Sequence, residues 1–267
     1  MQLTMLGTGH ALVTQCYNTC FVLREGNRQF LVDGGGGNGL FSQFRAAGLD
    51  WREVKEIFVT HKHIDHLLGI LWMLRVICHG MNQETYPDSV TVYAHEEVIG
   101  LLRAMAGNLI REQETRFLGN RVELVTVTDG ETRTVLGRPT QFFDIHSEKT
   151  KQFGFSMALE GGGKLTCCGD EPCHQAAYPY AAHSTWLLHE AYCLHQEADQ
   201  FRPYEKHHST VRDACTLAEQ LGVENLLLYH TEDQHLSERK ALYTAEGREF
   251  FHGNLYVPDD LETLTIL

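Results

Sequence analysis

Positive charge and proline are scarce in this chain of 267 residues: 22 Lys and Arg stand against 35 Asp and Glu, giving a formal net charge of −13, and there are six prolines. The shortage of cations excludes a protein that grips nucleic acid through a broad basic face, because phosphate affinity rests on clustered cations that release counterions. Any contact with a polyanion must rest on a local patch. The prolines are scattered, and no Pro/Ser-rich linker, internal repeat or low-complexity tract divides the chain. A single domain over residues 1–267 is therefore expected. Long apolar runs are missing as well. The longest, Leu67 to Leu74 and Leu226 to Tyr229, fall short of the roughly 20 residues a membrane-spanning helix needs. No N-terminal stretch has the layout of a secretion signal, so the expectation is a cytoplasmic protein with no membrane association. Eight cysteines are present, but no pair has the C-x2-C spacing of structural zinc and their density is not that of a disulfide scaffold. They read as reduced, buried thiols.

Histidine, by contrast, is abundant, with 16 in the chain. Four positions of the stretch Thr60-His61-Lys62-His63-Ile64-Asp65-His66 carry an imidazole or a carboxylate, directly after the apolar run Ile57-Phe58-Val59. Neutral imidazole nitrogen and carboxylate oxygen are the ligands that zinc and similar borderline metals take. A loop leaving a buried strand can aim alternate side chains at one point, with His61, His63 and Asp65 on one period-2 side and His66 opening the next helix. Such a cluster could feed two adjacent metals, His61 and His63 holding one, Asp65 and His66 the other.

The coarse pattern supplies further ligands at other strand ends. Strands are expected over Gln2 to Leu6, Cys20 to Leu23, Gln29 to Val32, Ile57 to Thr60, Val90 to Tyr93, Val122 to Val127 and Gln141 to Ile145. A hairpin over Phe153 to Leu159 and Lys164 to Cys168, turning at Gly161 to Gly163, follows. Strands over Thr185 to Leu188, Asn225 to Tyr229 and Leu255 to Val257 then alternate with helices over Thr210 to Leu221 and Leu236 to Phe250. Earlier helices are expected over Leu40 to Ala47 and Leu67 to Ile77. Two halves that each run strands then helices suggest two sheets packed face to face with helices outside, a four-layer αββα sandwich of the α/β class. Strand ends close on His146, on Gly169-Asp170 and on His230.

In order, H-x-H-x-D-H, a later His, a Gly-Asp and a last His resemble the metallo-β-lactamase superfamily over nearly the whole chain. The segments MLGTGHA, FLVDGGGG, IFVTHKHIDHLLGI, CCGDEP, LLHEA and HHSTVRDACTLAEQLGVENLLLYH are similar to ribonuclease Z, the tRNA 3′-end endonuclease, and its relatives. The resemblance implies the metallo-β-lactamase fold and a dinuclear hydrolase. His61, His63 and His146 would bind one divalent metal, Asp65, His66 and His230 the second, and Asp170 would bridge both. Zinc is the expected ion, with manganese or iron as alternatives. Asp33 would orient ligands from behind. The catalytic group would comprise Asp65 with Glu190 and His208, the last two assisting proton transfer to the leaving oxygen while a metal-bridging hydroxide attacks.

The chain departs from ribonuclease Z in three places. A single hairpin fills the interval between His146 and Asp170 where that family carries a tRNA-gripping arm, Ile64 replaces a usual glycine, and Thr231-Glu232-Asp233-Gln234 follows the last His where a cation is usual. The expected substrate is a phosphodiester, either a tRNA precursor or a smaller molecule. Hydrolysis of a thioester, lactone or sulfate ester, or a metal-retaining binding protein without activity, are the alternatives. Lys149, Lys151, Arg202, Lys206 and His207 cluster around the candidate residues and tilt the reading toward an anion. Leu67 to Ile77, with Trp72, Met73 and Met81 nearby, offers a possible homodimer face.

Overall fold

The computed structural model describes residues 1–266. The first seven-stranded sheet has β1 (Gln2–Gly7), β2 (Cys20–Glu25), β3 (Arg28–Val32), β4 (Val54–Phe58), β5 (Val90–Ala94) and β6 (Val122–Thr126) side by side in chain order. The second takes β7 (Thr132–Val135), β8 (Arg138–Asp144), β9 (Phe153–Ala158), β10 (Lys164–Cys167), β11 (Trp186–Glu190), β12 (Asn225–Tyr229) and β13 (Asn254–Tyr256), also in chain order. A last strand, β14 (Thr263–Thr265), returns to pair antiparallel with β1. Both sheets begin antiparallel and turn parallel, at the β3–β4 pair in one and the β10–β11 pair in the other.

Alternation along each strand builds the layers. In β2, Phe21 and Leu23 face the second sheet while Cys20 and Val22 face helices. The slab between the sheets is rich in aromatics, with Phe30, Phe58 and Phe142 packed around Phe155. Strands buried on both faces read as continuous apolar runs, which is how parallel sheets inside a sandwich look in sequence. Helices α1 (Gly39–Ala46), α2 (Ile64–Asn82) and α3 (Glu96–Leu109) cover the first sheet, with the short α4 (Glu112–Thr115) beside them. The second sheet is covered by α5 (Tyr178–Ala181), α7 (Val211–Gln220) and α8 (Arg239–Gly247), α6 (Ala198–Phe201) lying in the loop between β11 and α7. The four-layer expectation holds.

Where boundaries shift, local chemistry explains it. Strand β4 starts at Val54, three residues ahead of the apolar run, because Glu56 is buried by pairing with Arg28 at 2.7 Å and so hides a strand position behind a charge. Helix α3, absent from the sequence reading, has a single buried stripe of Val98, Ile99, Leu102 and Ala106, and its exposed side carries Gly100 and Gly107, poor helix formers. Strands β7 and β14 are short, mostly exposed edge strands without apolar alternation. Helix α2 extends well beyond Leu67 to Ile77, and its 19 residues have the length and mean hydropathy (1.3) of a membrane span, although Asp65, His66, Arg75 and His79 keep it from being one continuous apolar run. Burial accounts for it: 61% of that window lies inside the fold, Met73 and Met81 in the helix-side core, while Trp72 is exposed.

The first turn of α2 is pinned to the loop after β3. Gly34 N donates to His66 O at 2.8 Å and Gly69 N to Gly35 O at 2.9 Å. A Cβ on Gly69 would meet Gly34 O at 1.7 Å, so the two backbones approach as only glycine allows. Gly69→Ala is expected to push this turn away and cost about 2–3 kcal/mol, read as a lower denaturation midpoint at unchanged m-value.

Candidate metal centre

The carboxyl ends of β3, β4, β8, β10 and β12 open at one edge of the sandwich, where ligands meet α/β sheets. Asp33 follows β3, His61 lies just past β4, His146 follows β8, Asp170 follows β10 and His230 follows β12. Asp33, His146 and His230 share a left-handed backbone, with φ of 56°, 56° and 59°. Non-glycine residues take this conformation rarely, and it clusters at functional sites. It turns each side chain out of the strand direction at its end.

Ligand atoms of His61, His66 and Asp170 lie within 4.8 Å of one another, as do those of Asp65, His66 and His230, and those of Asp170, His208 and His230. Asp170 Oδ2 stands 3.7 Å from His61 Nε2, 3.7 Å from His66 Nε2 and 3.5 Å from His230 Nε2, while His66 Nε2 is 3.3 Å from Asp65 Oδ2. These separations exceed ordinary hydrogen bonds, yet ligands bound at about 2.0–2.2 Å around one tetrahedral ion sit on the order of 3.4 Å apart. His66 Nε2 is buried and has no hydrogen-bond partner among the described residues. A polar atom so placed is costly unless something else satisfies it, and a divalent cation fits the donor set.

The far nitrogens are held from behind, which settles the tautomers. Thr60 Oγ1 donates to Asp33 Oδ2 at 2.8 Å and therefore accepts from His61 Nδ1 at 2.9 Å, which leaves the lone pair on Nε2, where it faces His63 Nδ1 at 2.8 Å. Thr19 repeats the device, donating to Gly9 O at 3.0 Å and accepting from His230 Nδ1 at 3.1 Å. Asp33 Oδ2 takes His66 Nδ1 directly at 2.7 Å. Gln152 fixes Asp170, its Nε2 donating to Oδ1 at 2.6 Å and its Oε1 accepting Asp170 N at 2.7 Å, so that Oδ2 alone faces the imidazoles. Gly169, at φ 76°, has no room for a Cβ, which would meet Gln152 Oε1 at 1.9 Å. These outer partners are what a metal site needs to orient its ligands.

Burial, the largest influence, pushes His61, His63 and His230 below the usual histidine range and keeps them neutral, the form that binds metal. At His66 burial acts the same way, but Asp33 and Asp65 outweigh it and hold the imidazole well above that range. Burial opposes ionisation of Asp65 and Asp170, yet the surrounding imidazoles keep both carboxyls below the usual range, aided at Asp170 by Lys149, whose Nζ is 3.8 Å from Oδ2.

Of the sequence-derived ligands, His61, Asp65, His66, Asp170 and His230 thus share the cluster. His63 adjoins it, Nδ1 lying 2.8 Å from His61 Nε2. Asp65 occupies the first turn of α2 rather than a period-2 side of an extended loop, a correction that follows from the helix starting at Ile64. His146 is exposed and enters none of the ligand groups among the described residues; its amide donates to Asp144 Oδ1 at 2.8 Å. Glu190 and His208 are adjacent, Nδ1 to Oε2 being 3.5 Å, and Ser209 N and Oγ both donate to Glu190 Oε1 at 2.6 Å. Of the surrounding cations, Lys151 pairs with Glu96, Arg202 with Glu205 and His207 with Glu148, whereas Lys206 reaches Tyr192 Oη at 2.9 Å. The sequence reading missed Thr19, Gln152, His10 and Tyr192. Tyr192 follows His189-Glu190-Ala191 and His10 lies within the glycine-rich MLGTGHA, a local hint in each case; Thr19 and Gln152 carry no signal of their own.

The fold and this site define a metal-dependent hydrolase of the metallo-β-lactamase fold. Residues 1–251 match the family model described as Anti-Pycsar protein Apyc1, and the chain belongs to that family. It is 25% identical to a ribonuclease Z of Thermococcus onnurineus (strain NA1) over 316 residues, covering 99% of this chain and 94% of that protein. Among solved structures it resembles the metallo-β-lactamase fold protein YhfI of Bacillus subtilis, with a TM-score of 0.78, 14% identity and 98% of each chain covered. It also resembles human tRNase Z, short form, with a TM-score of 0.74, 20% identity and 100% of each chain covered.

Two outcomes test the centre. Asp33→Ala should weaken metal binding by about 10- to 100-fold in chelator competition. In the metal-free protein, protonated His66 stabilises the fold at pH values below its unfolded pKa, and that contribution fades as pH rises through its raised folded value. Loading displaces this proton, so calorimetry near pH 7 in buffers of different ionisation enthalpy should record proton release, with affinity falling as pH is lowered.

Proposed function

We propose that the centre is dinuclear and cleaves a small phosphodiester. In this reading His61, His63 and His146 would hold one divalent cation, zinc by preference, Asp65, His66 and His230 would hold the second, and Asp170 would serve both. The single observation that supports it best is Asp170 Oδ2 facing three imidazole nitrogens at 3.5–3.7 Å while Gln152 occupies its other oxygen. His146 joins by turning its side chain inward from a backbone already in place, since Ser147 Oγ and Glu148 N both donate to Glu171, the neighbour of Asp170.

Bound there, two divalent cations would supply a nucleophilic water at neutral pH and offset charge on the phosphoryl oxygens. The chain's own residues do the rest. Glu190, fixed by Ser209, faces His208 Nδ1 and orients that ring, which stacks on Tyr192 at 4.8 Å and lies 5.1 Å from the His230 ring. His208 then delivers a proton from Nε2 to the leaving oxygen, a task suited to imidazole near neutrality.

A small substrate is favoured over tRNA on two grounds. The β9–β10 hairpin stands where a gripping arm would be, and the chain's charge of −13 leaves few cations for a long polyanion. The family's description, an anti-Pycsar protein, would make this hydrolysis a means of countering Pycsar. Eight free thiols agree with a cytoplasmic setting.

Zinc-loaded protein is expected to cleave bis(p-nitrophenyl) phosphate and members of a panel of linear and cyclic nucleotide phosphodiesters, and a 3′-extended tRNA poorly. Inertness toward all of them with metal bound would defeat the proposal. His208→Ala should lower turnover by roughly 10²- to 10⁴-fold at unchanged metal content, whereas Asp170→Ala should lose metal.

A further inference from the structure

We propose that His10 contacts the substrate, its Nε2–H donating to a phosphoryl oxygen on the His230 side of the centre; this rests on the phosphodiesterase reading above. Leu12 N donates to His10 Nδ1 at 3.2 Å, and the Tyr192 hydroxyl lies 3.5 Å from the same nitrogen. A backbone N–H can only donate, so Nδ1 is the acceptor and the proton resides on Nε2. Lys206 Nζ donates to Tyr192 Oη at 2.9 Å, which leaves the hydroxyl proton free to turn toward Nδ1 as well. Among the described residues Nε2 has no partner, and the half-buried His10 ring sits 6.4 Å from the His230 ring.

The donor is held rigidly. His10 N donates to Thr231 O at 3.0 Å, directly after the ligand His230, and Asn18 Nδ2 donates to His10 O at 2.9 Å. Its ring packs on Tyr192 at 4.5 Å, and Tyr192 in turn packs on His208, so His10, Tyr192 and His208 form one aromatic wall along the centre. A neutral N–H fixed in this way needs no rearrangement when an anion arrives, which is how preorganised donors favour a charged ligand. A purely packing role for the ring would be met by any side chain of similar bulk and would not require a donor at that nitrogen.

The test uses inorganic phosphate binding to the zinc-loaded protein, followed by calorimetry, alongside turnover of bis(p-nitrophenyl) phosphate and metal content. His10→Ala is expected to weaken phosphate binding about tenfold, the worth of one hydrogen bond to a charged oxygen, at unchanged zinc stoichiometry. His10→Gln, whose amide restores a donor near the Nε2 position, should recover most of that loss. Wild-type affinity in His10→Ala, equal loss in His10→Gln, or no phosphate binding by the parent protein would each overturn the assignment. If the parent cleaves phosphodiesters while His10→Ala behaves like it, the His10 contact falls and the activity stands. If phosphate binding follows the variants but no phosphodiester is cut, the contact stands and the activity falls.

Discussion

One buried carboxylate sets the geometry on which the rest depends. Asp170 is reached from β10 through a glycine that tolerates no side chain, one of its oxygens is taken by Gln152, and the other faces His61, His66 and His230. Three imidazole Nε2 atoms turned inward and a carboxylate with one oxygen spoken for would be costly to bury without a cation to share. The hydroxyls of Thr60 and Thr19 and the carboxylate of Asp33 make that inward orientation obligatory, because each occupies the opposite ring nitrogen.

The elements that carry the candidate ligands are joined to one another behind the site. Arg239, fully buried at the start of α8, donates to Thr8 Oγ1, Thr231 Oγ1 and Pro258 O. It thereby ties the loop after β1, which bears His10, to the loop after β12, which bears His230. Asp260, just ahead of β14, holds both ends of the loop between β1 and β2, accepting from Thr8 N and Tyr17 N. With Tyr192 N donating to Ser209 O and Glu232 N to Tyr192 O, the candidate ligand His230, the rim residue His10 and the α7 entrance carrying His208 are parts of one hydrogen-bonded rim around a rigid double sheet. A site built on such a scaffold spends little on reorganisation.

How far the site could be read in advance depended on residue type and neighbourhood. His61, His63, Asp65 and His66 stood out because four metal-binding side chains fall within six positions, and Asp170 and His230 because each closes an apolar strand. Asp33 was found through the resemblance and proved to be the direct partner of His66. Gln152 and Thr19 were invisible: each is a common polar residue that gains a role only through a neighbour 18 or 211 positions away. The same limit applied to the fold, where strands buried on both faces were legible from apolar runs, while Glu56 concealed the start of β4 and two glycines on the exposed side concealed α3.

By itself the sequence determined the four-layer architecture and the metal-binding character of the centre, since period-2 burial and a run of imidazoles at a strand end are local properties that survive without knowledge of partners. Only the tertiary structure decided which nitrogen of each histidine faces inward, which oxygen of Asp170 is free, that His146 lies exposed, and that His10 and Tyr192 line the rim. Those are outcomes of contacts between strand ends far apart in the chain, and a hydrogen bond's direction exists only once both of its partners are in place.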